Sequence, residues 1–202
     1  MEKEKFESIL KQINLKLRSN GSDNEWDQYT PVICEGTSTM VYLTETFGEP
    51  CFYNKLCHQL YRAKEDERFT FVVNSPGGML DSAFMITDAI RRTQATTVCR
   101  LVGTVASAAT IIALSCDELE VSDELAFMIH NYSSGMQGKG HEMKARQTFI
   151  DRELNKSFNK YYLGFLSAEE IESVIEGKDI WLNAQEVEQR WQTKSTFYSE
   201  KE

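Results

Sequence analysis

The chain has 202 residues, of which 41% are hydrophobic and 26% charged, as in ordinary globular proteins. A chain of this length can bury a core without the support of disulfide bonds or bound metal. Its net charge of −9 argues against a nucleic acid or an anionic membrane surface as the main partner. We find neither a basic-then-apolar leader nor an apolar run of membrane-spanning length in the sequence, and therefore expect a cytoplasmic protein.

Apolar side chains recur at helix or strand spacing along the first half of the chain. Residues 3–18 carry them at helical spacing, which predicts an amphipathic helix, and the polar, acidic stretch 21–27 predicts a linker after it. The pattern then predicts strands and helices in alternation, namely a strand at 40–44, a helix at 54–64, a strand at 69–73, a helix at 80–92 and a strand at 96–102.

The second half of the chain continues this alternation and ends in helices. Small residues predict a short helix through Leu114, and the glycine-rich stretch 133–140 predicts a loop. The other predicted elements are strands at 119–121 and 126–129, a long charged helix at 141–163, and two helices opened by capping boxes, at 167–177 and from 183 to about 191. Such alternation predicts an α/β fold with a largely parallel sheet, whose strand ends gather at one edge.

The five cysteines are odd in number and include no Cys-x-x-Cys pair. Three of them lie inside apolar runs, which predicts reduced, buried thiols rather than a disulfide framework. Cys51, Cys57 and His58 lie close together in sequence but lack a fourth ligand at suitable spacing, so we predict no metal site there.

The stretch Gly103–Thr110 is the first candidate for chemistry. A strand that turns into a helix here would present the Ser107 hydroxyl beside the free backbone N–H groups of the helix start. Such a hydroxyl can attack a carbonyl carbon while the N–H groups stabilise the developing oxyanion. Small residues at this corner also serve simply to pack a helix tightly against a sheet, and this stretch alone leaves both interpretations open.

A serine nucleophile needs a base to remove its proton, and histidine is the usual base near neutral pH. Of the three histidines, His58 lies on a predicted helix and His141 opens the long charged helix. His130 instead ends an apolar strand just before a loop, as Ser107 ends another strand. This placement favours His130 as the base, although a strand-end histidine is also often a hydrogen-bonded structural residue.

A third group is expected to orient the imidazole ring of the base. Asp179 is a candidate because Gly177-Lys178-Asp179 connects two capped helices tightly, although the sequence alone favours a solvated turn aspartate at this position. Upstream, the consecutive glycines of Pro76-Gly77-Gly78 follow a strand. They leave N–H groups free and permit the close approach of a substrate backbone.

Together, four ordered stretches resemble the proteolytic subunit of the Clp protease family. They are Asn74-Ser75-Pro76-Gly77-Gly78, Val105-Ala106-Ser107-Ala108, Met128-Ile129-His130 and the run from Gly177 to Glu186. Each is unspecific alone, but their order and the spacing from the glycine pair to the serine resemble those of the family over about residues 38–191. The resemblance implies an α/β fold of the crotonase-like (ClpP-like) type, with a long handle helix. The peptidase domain would span 36–191, preceded by a helix and acidic linker at 1–35 and followed by a polar tail at 192–202.

The resemblance further implies a serine endopeptidase that forms an acyl-enzyme and needs neither a metal nor a cofactor. Ser107 would be the nucleophile, His130 the general base and Asp179 the acid that orients it. Stacked rings of identical subunits are implied as well, with the handle helix joining ring to ring. Unfolded polypeptides would be the substrates, and an AAA+ unfoldase is the expected partner.

Backbone groups complete the site that the resemblance implies. The N–H groups of Gly78 and Ala108 would form the oxyanion hole, and an extended peptide would lie beside Gly77 and Asn131. The family usually has methionine where this chain has Ala108, which preserves the N–H donor and changes the shape of the pocket. The loop after His130 also lacks the Gln-Pro and paired glycines usual in the family.

Several other interpretations stay open from the sequence. A serine–lysine dyad would need Lys139 or Lys178 in place of His130. A non-catalytic ring or scaffold component could keep the fold with distorted geometry, and a crotonase-type acyl-CoA enzyme would share the fold and the oxyanion hole without using the triad. Divergent relatives of this type occur in bacteriophages, where some process capsid proteins, and the sequence is compatible with that role.

Overall fold

A seven-stranded sheet lies at the centre of the structure, a computed structural model that describes residues 32–199 and, for 195–199, the backbone. The helix predicted at 3–18 and the linker predicted at 21–27 fall outside the described residues. Within the described range, no helix is long and apolar enough to cross a membrane.

Strands and helices alternate over most of this range. The strands are β1 (Val32–Glu35), β2 (Ser38–Leu43), β3 (Arg68–Ser75), β4 (Thr96–Ala106), β5 (Glu118–Val121), β6 (Ala126–Ile129) and β7 (Ile180–Leu182). The helices are α1 (Asn54–Arg62), α2 (Leu80–Arg92), α3 (Ala108–Ala113), α4 (Gly140–Tyr162), α5 (Ala168–Ile175) and α6 (Ala184–Ser199), and a 3₁₀ turn at Pro50–Tyr53 precedes α1.

The strand order across the sheet is β1-β2-β3-β4-β6-β7, with β5 also paired to β4. Strands β2, β3, β4 and β6 are parallel neighbours, β5 is parallel to β4, and β1 and β7 add antiparallel strands at the two ends. The prediction of a mixed α/β fold with a largely parallel sheet is therefore confirmed. Parallel order brings the carboxyl ends of β3, β4 and β6 to one edge of the sheet.

Helix α3 packs directly onto this sheet because its side chains are small or aliphatic. All six of its residues are buried, and the alanines at its start bring the helix axis close to the strands. The preceding strand β4 buries one face along its length, with Thr97, Cys99, Leu101 and Val105, whereas Arg100 and Thr104 on the other face are exposed. The strand-to-helix turn predicted from the small residues around Ser107 is present.

Helix α6 is longer than the sequence pattern indicated. The prediction that it ends near Trp191 is wrong, because the helix continues to Ser199. Lys194 explains the extension: its side chain is buried and its Nζ donates a hydrogen bond to the Leu114 carbonyl, 2.5 Å away, just past the end of α3. Burial lowers the pKa of Lys194 to about 8.

The sequence pattern also missed two short strands. Strand β7 has three residues, too few to show a period, and is defined by its pairing with β6. Strand β1 has four and is paired with β2 through a turn at Gly36. Both lie at the ends of the sheet, where long-range pairing rather than local sequence determines the strand.

Candidate active site

The candidate residues meet at the edge where the parallel strands end. Ser107 follows β4, His130 follows β6 and the glycine pair follows β3. Because β7 runs antiparallel to β6, Asp179 comes to the same edge immediately before β7. Four segments that are far apart in sequence thus converge on one place.

Ser107 occupies an unusual backbone conformation at the turn from β4 to α3. Its φ of 56° and ψ of −128° make it the one non-glycine residue of the described range with positive φ. Such conformations cost on the order of 1–3 kcal/mol and persist only where surrounding contacts hold them. Although Ser107 is the N-cap residue of α3, its side chain does not cap the helix, which leaves the hydroxyl for another partner.

That partner is His130. Its Nε2 lies 2.7 Å from the Ser107 Oγ, a hydrogen-bond distance suited to direct proton transfer. The Ser107 N–H donates to the Met128 carbonyl at 2.8 Å, so the turn at Ser107 is tied to β6, the strand that His130 follows. The structure therefore brings together the two side chains that the sequence singled out.

The glycine pair packs against the serine turn so closely that no side chain fits. A Cβ on Gly77, where φ is +95°, would lie 2.8 Å from the Ser107 Cβ and 2.9 Å from the Ala108 nitrogen. A Cβ on Gly78, where φ is +141°, would lie 2.4 Å from the Phe47 carbonyl oxygen. Both positions require glycine, for conformation and for space.

Two backbone N–H groups remain available beside the Ser107 hydroxyl. Phe47 forms hydrogen bonds with the residues on either side of Gly78. Its N–H donates to the Gly77 carbonyl at 2.7 Å, and its carbonyl accepts from the Met79 N–H at 2.9 Å. Within residues 32–199, neither the Gly78 N–H nor the Ala108 N–H has an acceptor. Gly78 and Ala108 both line the cleft that contains Ser107 and His130.

Asp179 is positioned by strand register rather than by a direct bond. The ladder between β6 and β7 ends with the pair Ile129 and Ile180, and His130 and Asp179 are the next residue on each side of that pair. The Asp179 side chain is exposed, and across the described part of the chain it makes no hydrogen bond to His130. The structure thus makes Asp179 a neighbour of the base without joining the two side chains.

The loop after His130 is attached on two sides. The Asn131 side-chain amide donates to the Ile175 carbonyl at the end of α5, 2.8 Å away, and its Oδ1 accepts from the Tyr132 N–H. The Tyr132 hydroxyl bonds to Asp151 of α4, and Gln147 bonds to that hydroxyl in turn. Asn131 and Gly77 adjoin the cleft without lining it, whereas Tyr132 lines it.

The cleft beside Ser107 is an open groove of about 920 Å³. Helix α4 supplies one apolar wall, with Phe149, Ile150, Leu154 and Phe158. Met79, Leu80, Phe84 and Ile111 also line the cleft. Arg146 and Glu153 add charge to the α4 side.

The alternative lysine base finds no support in this geometry. Lys139 pairs with Glu142 at 3.5 Å, and neither Lys139 nor Lys178 lines the cleft. In the part of the chain that the structure describes, no group of three or more His, Cys, Asp or Glu side chains is placed to hold a metal ion. The five cysteines are free, three of them buried, and burial raises the pKa of the Cys57 thiol to about 11.

Sequence reasoning missed the α4 wall of the cleft. Ile150, Leu154 and Phe158 recur at four-residue spacing, a signal that was readable as an apolar face of the long charged helix. What the sequence does not reveal is where this face packs, since the groove forms only when α4 lies beside the ends of the strands.

Two comparisons with known proteins bear on this site. A sequence profile described as Clp protease matches residues 36–190, a span that includes all four converging segments. The chain is also similar to the ATP-dependent Clp protease proteolytic subunit 2 of Pseudomonas aeruginosa, at 30% identity over 147 residues. The aligned region covers 72% of this chain and 73% of that protein.

Proposed function

The chain belongs to the Clp protease family, and on that premise we propose that it is a serine endopeptidase with Ser107 as nucleophile and His130 as general base. The observation that carries the proposal is the 2.7 Å distance from His130 Nε2 to Ser107 Oγ in a groove wide enough for a peptide. The same distance speaks against an inactive family member with a distorted site.

The proposed reaction proceeds through an acyl-enzyme. As Ser107 Oγ bonds to the peptide carbonyl carbon, His130 Nε2 takes its proton, and the carbonyl oxygen becomes an oxyanion. The imidazolium then gives that proton to the leaving amine while the C–N bond breaks. Water hydrolyses the ester in a second round with the same base, which releases the new carboxylate and restores the serine.

Backbone donors stabilise the oxyanion in this proposal. The N–H groups of Gly78 and Ala108 are free and line the cleft, and removal of one such donor in comparable sites costs about 3 kcal/mol of transition-state stabilisation. Asp179, opposite His130 in the β6–β7 register, is proposed as the acid that orients the imidazole ring once a substrate closes the site.

We also propose that identical subunits assemble into stacked rings through α4. Of its 23 residues, the buried ones are Phe158, Tyr161 and Tyr162, all near its C-terminal end. The rest of the helix is largely exposed, including Phe149 at 56%, and a second copy of the chain is the partner that would cover it. Unfolded polypeptides supplied by an AAA+ unfoldase are the proposed substrates.

A fluorophosphonate probe tests the proposed nucleophile. We expect the probe to modify Ser107 in the wild-type protein, with the site read by peptide mass mapping, and expect Ser107→Ala and His130→Ala to abolish or nearly abolish the reaction. His141→Ala is the matched control, because His141 is an exposed histidine outside the cleft. Modification at full rate without His130, or at another serine, would contradict the assignment.

A further inference from the structure

The carbonyl oxygen of the nucleophile is held by a pair of hydrogen bonds that no part of the proposed triad explains. The Thr110 Oγ1 donates to the Ser107 carbonyl at 2.6 Å, and the Thr110 N–H donates to the same oxygen at 3.0 Å. Thr110 Oγ1 also lies 2.7 Å from the hydroxyl of Tyr162, at the C-terminal end of α4.

The direction of the second bond follows from a count of hydrogens. The Thr110 hydroxyl has one hydrogen, and the Ser107 carbonyl accepts it, so the Tyr162 hydroxyl is the donor to Thr110. Thr110 is fully buried and Tyr162 nearly so, and burial raises the pKa of the Tyr162 phenol. A relay of two buried hydroxyls therefore ends on the backbone of the nucleophile.

This relay acts on the peptide unit that carries the oxyanion donor. The Ser107 carbonyl and the Ala108 N–H belong to one planar trans peptide, and they point in opposite directions. Thr110 of α3 holds the carbonyl through both of its donors, so the Ala108 N–H of the same peptide is held in the opposite direction, and Ala108 lines the cleft. Hydrogen bonds to a carbonyl also polarise the amide and strengthen its N–H as a donor.

We propose that Thr110 and Tyr162 are positioning residues that orient the Ala108 N–H toward the oxyanion of the transition state. This role rests on the proposed function and extends it by a link from α4 to the nucleophile. Their bonds add to the Ser107 N–H bond with Met128 in holding a strained turn, since a residue at φ 56° relaxes unless several contacts fix it.

The role predicts a fall in kcat rather than a rise in KM. Thr110→Val keeps the shape of the side chain and removes the hydroxyl, and we expect kcat for a chromogenic peptide ester to fall about tenfold with KM changed less than twofold. Affinity for a peptide boronate, whose tetrahedral adduct carries oxygen at the oxyanion position, should fall by a similar factor. Thr110→Ser, which keeps the hydroxyl, should restore most of the rate.

A double-mutant cycle separates positioning from fold stability. Tyr162→Phe should lower kcat about threefold in the wild type and have no further effect in the Thr110→Val background, because the phenol acts through Thr110. The double variant removes both hydroxyls and leaves no unpaired polar group, so its melting temperature should stay near that of the wild type. Ser115→Ala is the control, since its hydroxyl also donates to a carbonyl of α3, that of Ile111, away from the cleft.

The outcomes are distinguishable. A wild-type protein that does not react with the fluorophosphonate at Ser107 overturns the proposed function and this role with it. A reactive wild type together with a Thr110→Val variant of unchanged kcat overturns the positioning role alone. Equal losses in Thr110→Val and Thr110→Ser, or additive effects of Thr110→Val and Tyr162→Phe, also contradict it.

Discussion

Ser107 and Gly77 form one back-to-back contact on which the site depends. The serine turn carries the hydroxyl, the glycine loop carries one proposed oxyanion donor, and the two backbones touch where residue 77 lacks a side chain. Neither segment can move without displacing the other. Packing between backbones therefore fixes the turn that carries the Ser107 hydroxyl relative to the loop that carries the Gly78 N–H.

Substitution of Gly77 tests this contact. Gly77→Ala would force a Cβ to within 2.9 Å of the Ala108 nitrogen at a φ of +95°. We expect the free energy of unfolding to fall by about 2 kcal/mol or more and the rate of fluorophosphonate labelling to fall at least tenfold. Thermal melting and the kinetics of labelling measure the two effects.

Gly36→Ala provides the matched control. Gly36 also has positive φ, +63°, but a Cβ there meets nothing within 4 Å. The free energy of unfolding of the Gly36→Ala variant should fall only by the cost of the positive φ, on the order of 1 kcal/mol, and its labelling rate should equal that of the wild type. Equal labelling by both variants would show that the close contact at Gly77 is irrelevant to the site.

At the scale of elements, helix α3 is held at both ends by partners from distant parts of the chain. Its start is tied to β6 through Ser107 and to α4 through Thr110 and Tyr162. Its end is tied to α6, because Lys194 donates to the Leu114 carbonyl at 2.5 Å. A cation at the carboxyl end of a helix is electrostatically favourable, but here it is also costly because the ammonium group is buried.

The buried lysine gives the fold a predictable pH dependence. The pKa of Lys194 is lowered from 10.5 to about 8 in the folded protein, so between these pH values the unfolded chain holds the proton more firmly. The free energy of unfolding should therefore rise from about pH 8 to about pH 10.5, relative to a Lys194→Met variant, by at most about 3 kcal/mol. Below pH 8 the difference between the two proteins should be constant.

Urea denaturation at several pH values and one protein concentration measures this difference. Lys160→Met, at an exposed lysine of α4, is the control and should follow the pH dependence of the wild type. A difference between the wild type and Lys194→Met that stays flat up to pH 10.5 would show that the lysine is not desolvated in the folded protein.

The same elements show what the sequence could predict and why the rest required the structure. The Ser107 and His130 pair was predictable because each residue ends an apolar strand, and parallel strand ends meet at one edge of a sheet. The Thr110–Tyr162 bond joins residues 52 positions apart and leaves no local pattern. Strand β7 and the end of α6 likewise depend on pairing and burial with distant segments, which periodicity does not report.

At the scale of the whole molecule, the cleft beside Ser107 lies next to a long helix that is largely exposed. Helix α4 lines the cleft with one face and leaves most of its length unpacked in the single chain. Tyr132 bonds to Asp151 and Tyr162 bonds to Thr110, so the helix contacts both the loop after the base and the turn of the nucleophile. A partner that covers α4 would therefore also affect the segments around Ser107 and His130 that α4 contacts.

Native mass measurement tests the proposed assembly. We expect a mass several times the 23.2 kDa of one chain, because a helix with an exposed Phe149 is stabilised when a second copy covers it. Phe149→Glu should shift the population to smaller species, since a carboxylate is costly to bury in such an interface, and Phe149→Leu should preserve the assembly. A wild type that remains a monomer at micromolar concentration would contradict the proposal.

The pairing of β6 with β7 has a consequence for the time at which the site becomes complete. Synthesis runs from the amino end, so the segments bearing Ser107 and His130 leave the ribosome well before Asp179, and all of α4 is made in between. The proposed acid immediately precedes β7, which is the last strand of the sheet in chain order and pairs with β6. A chain still under synthesis would thus lack the proposed acid until nearly all of the described sheet has been made.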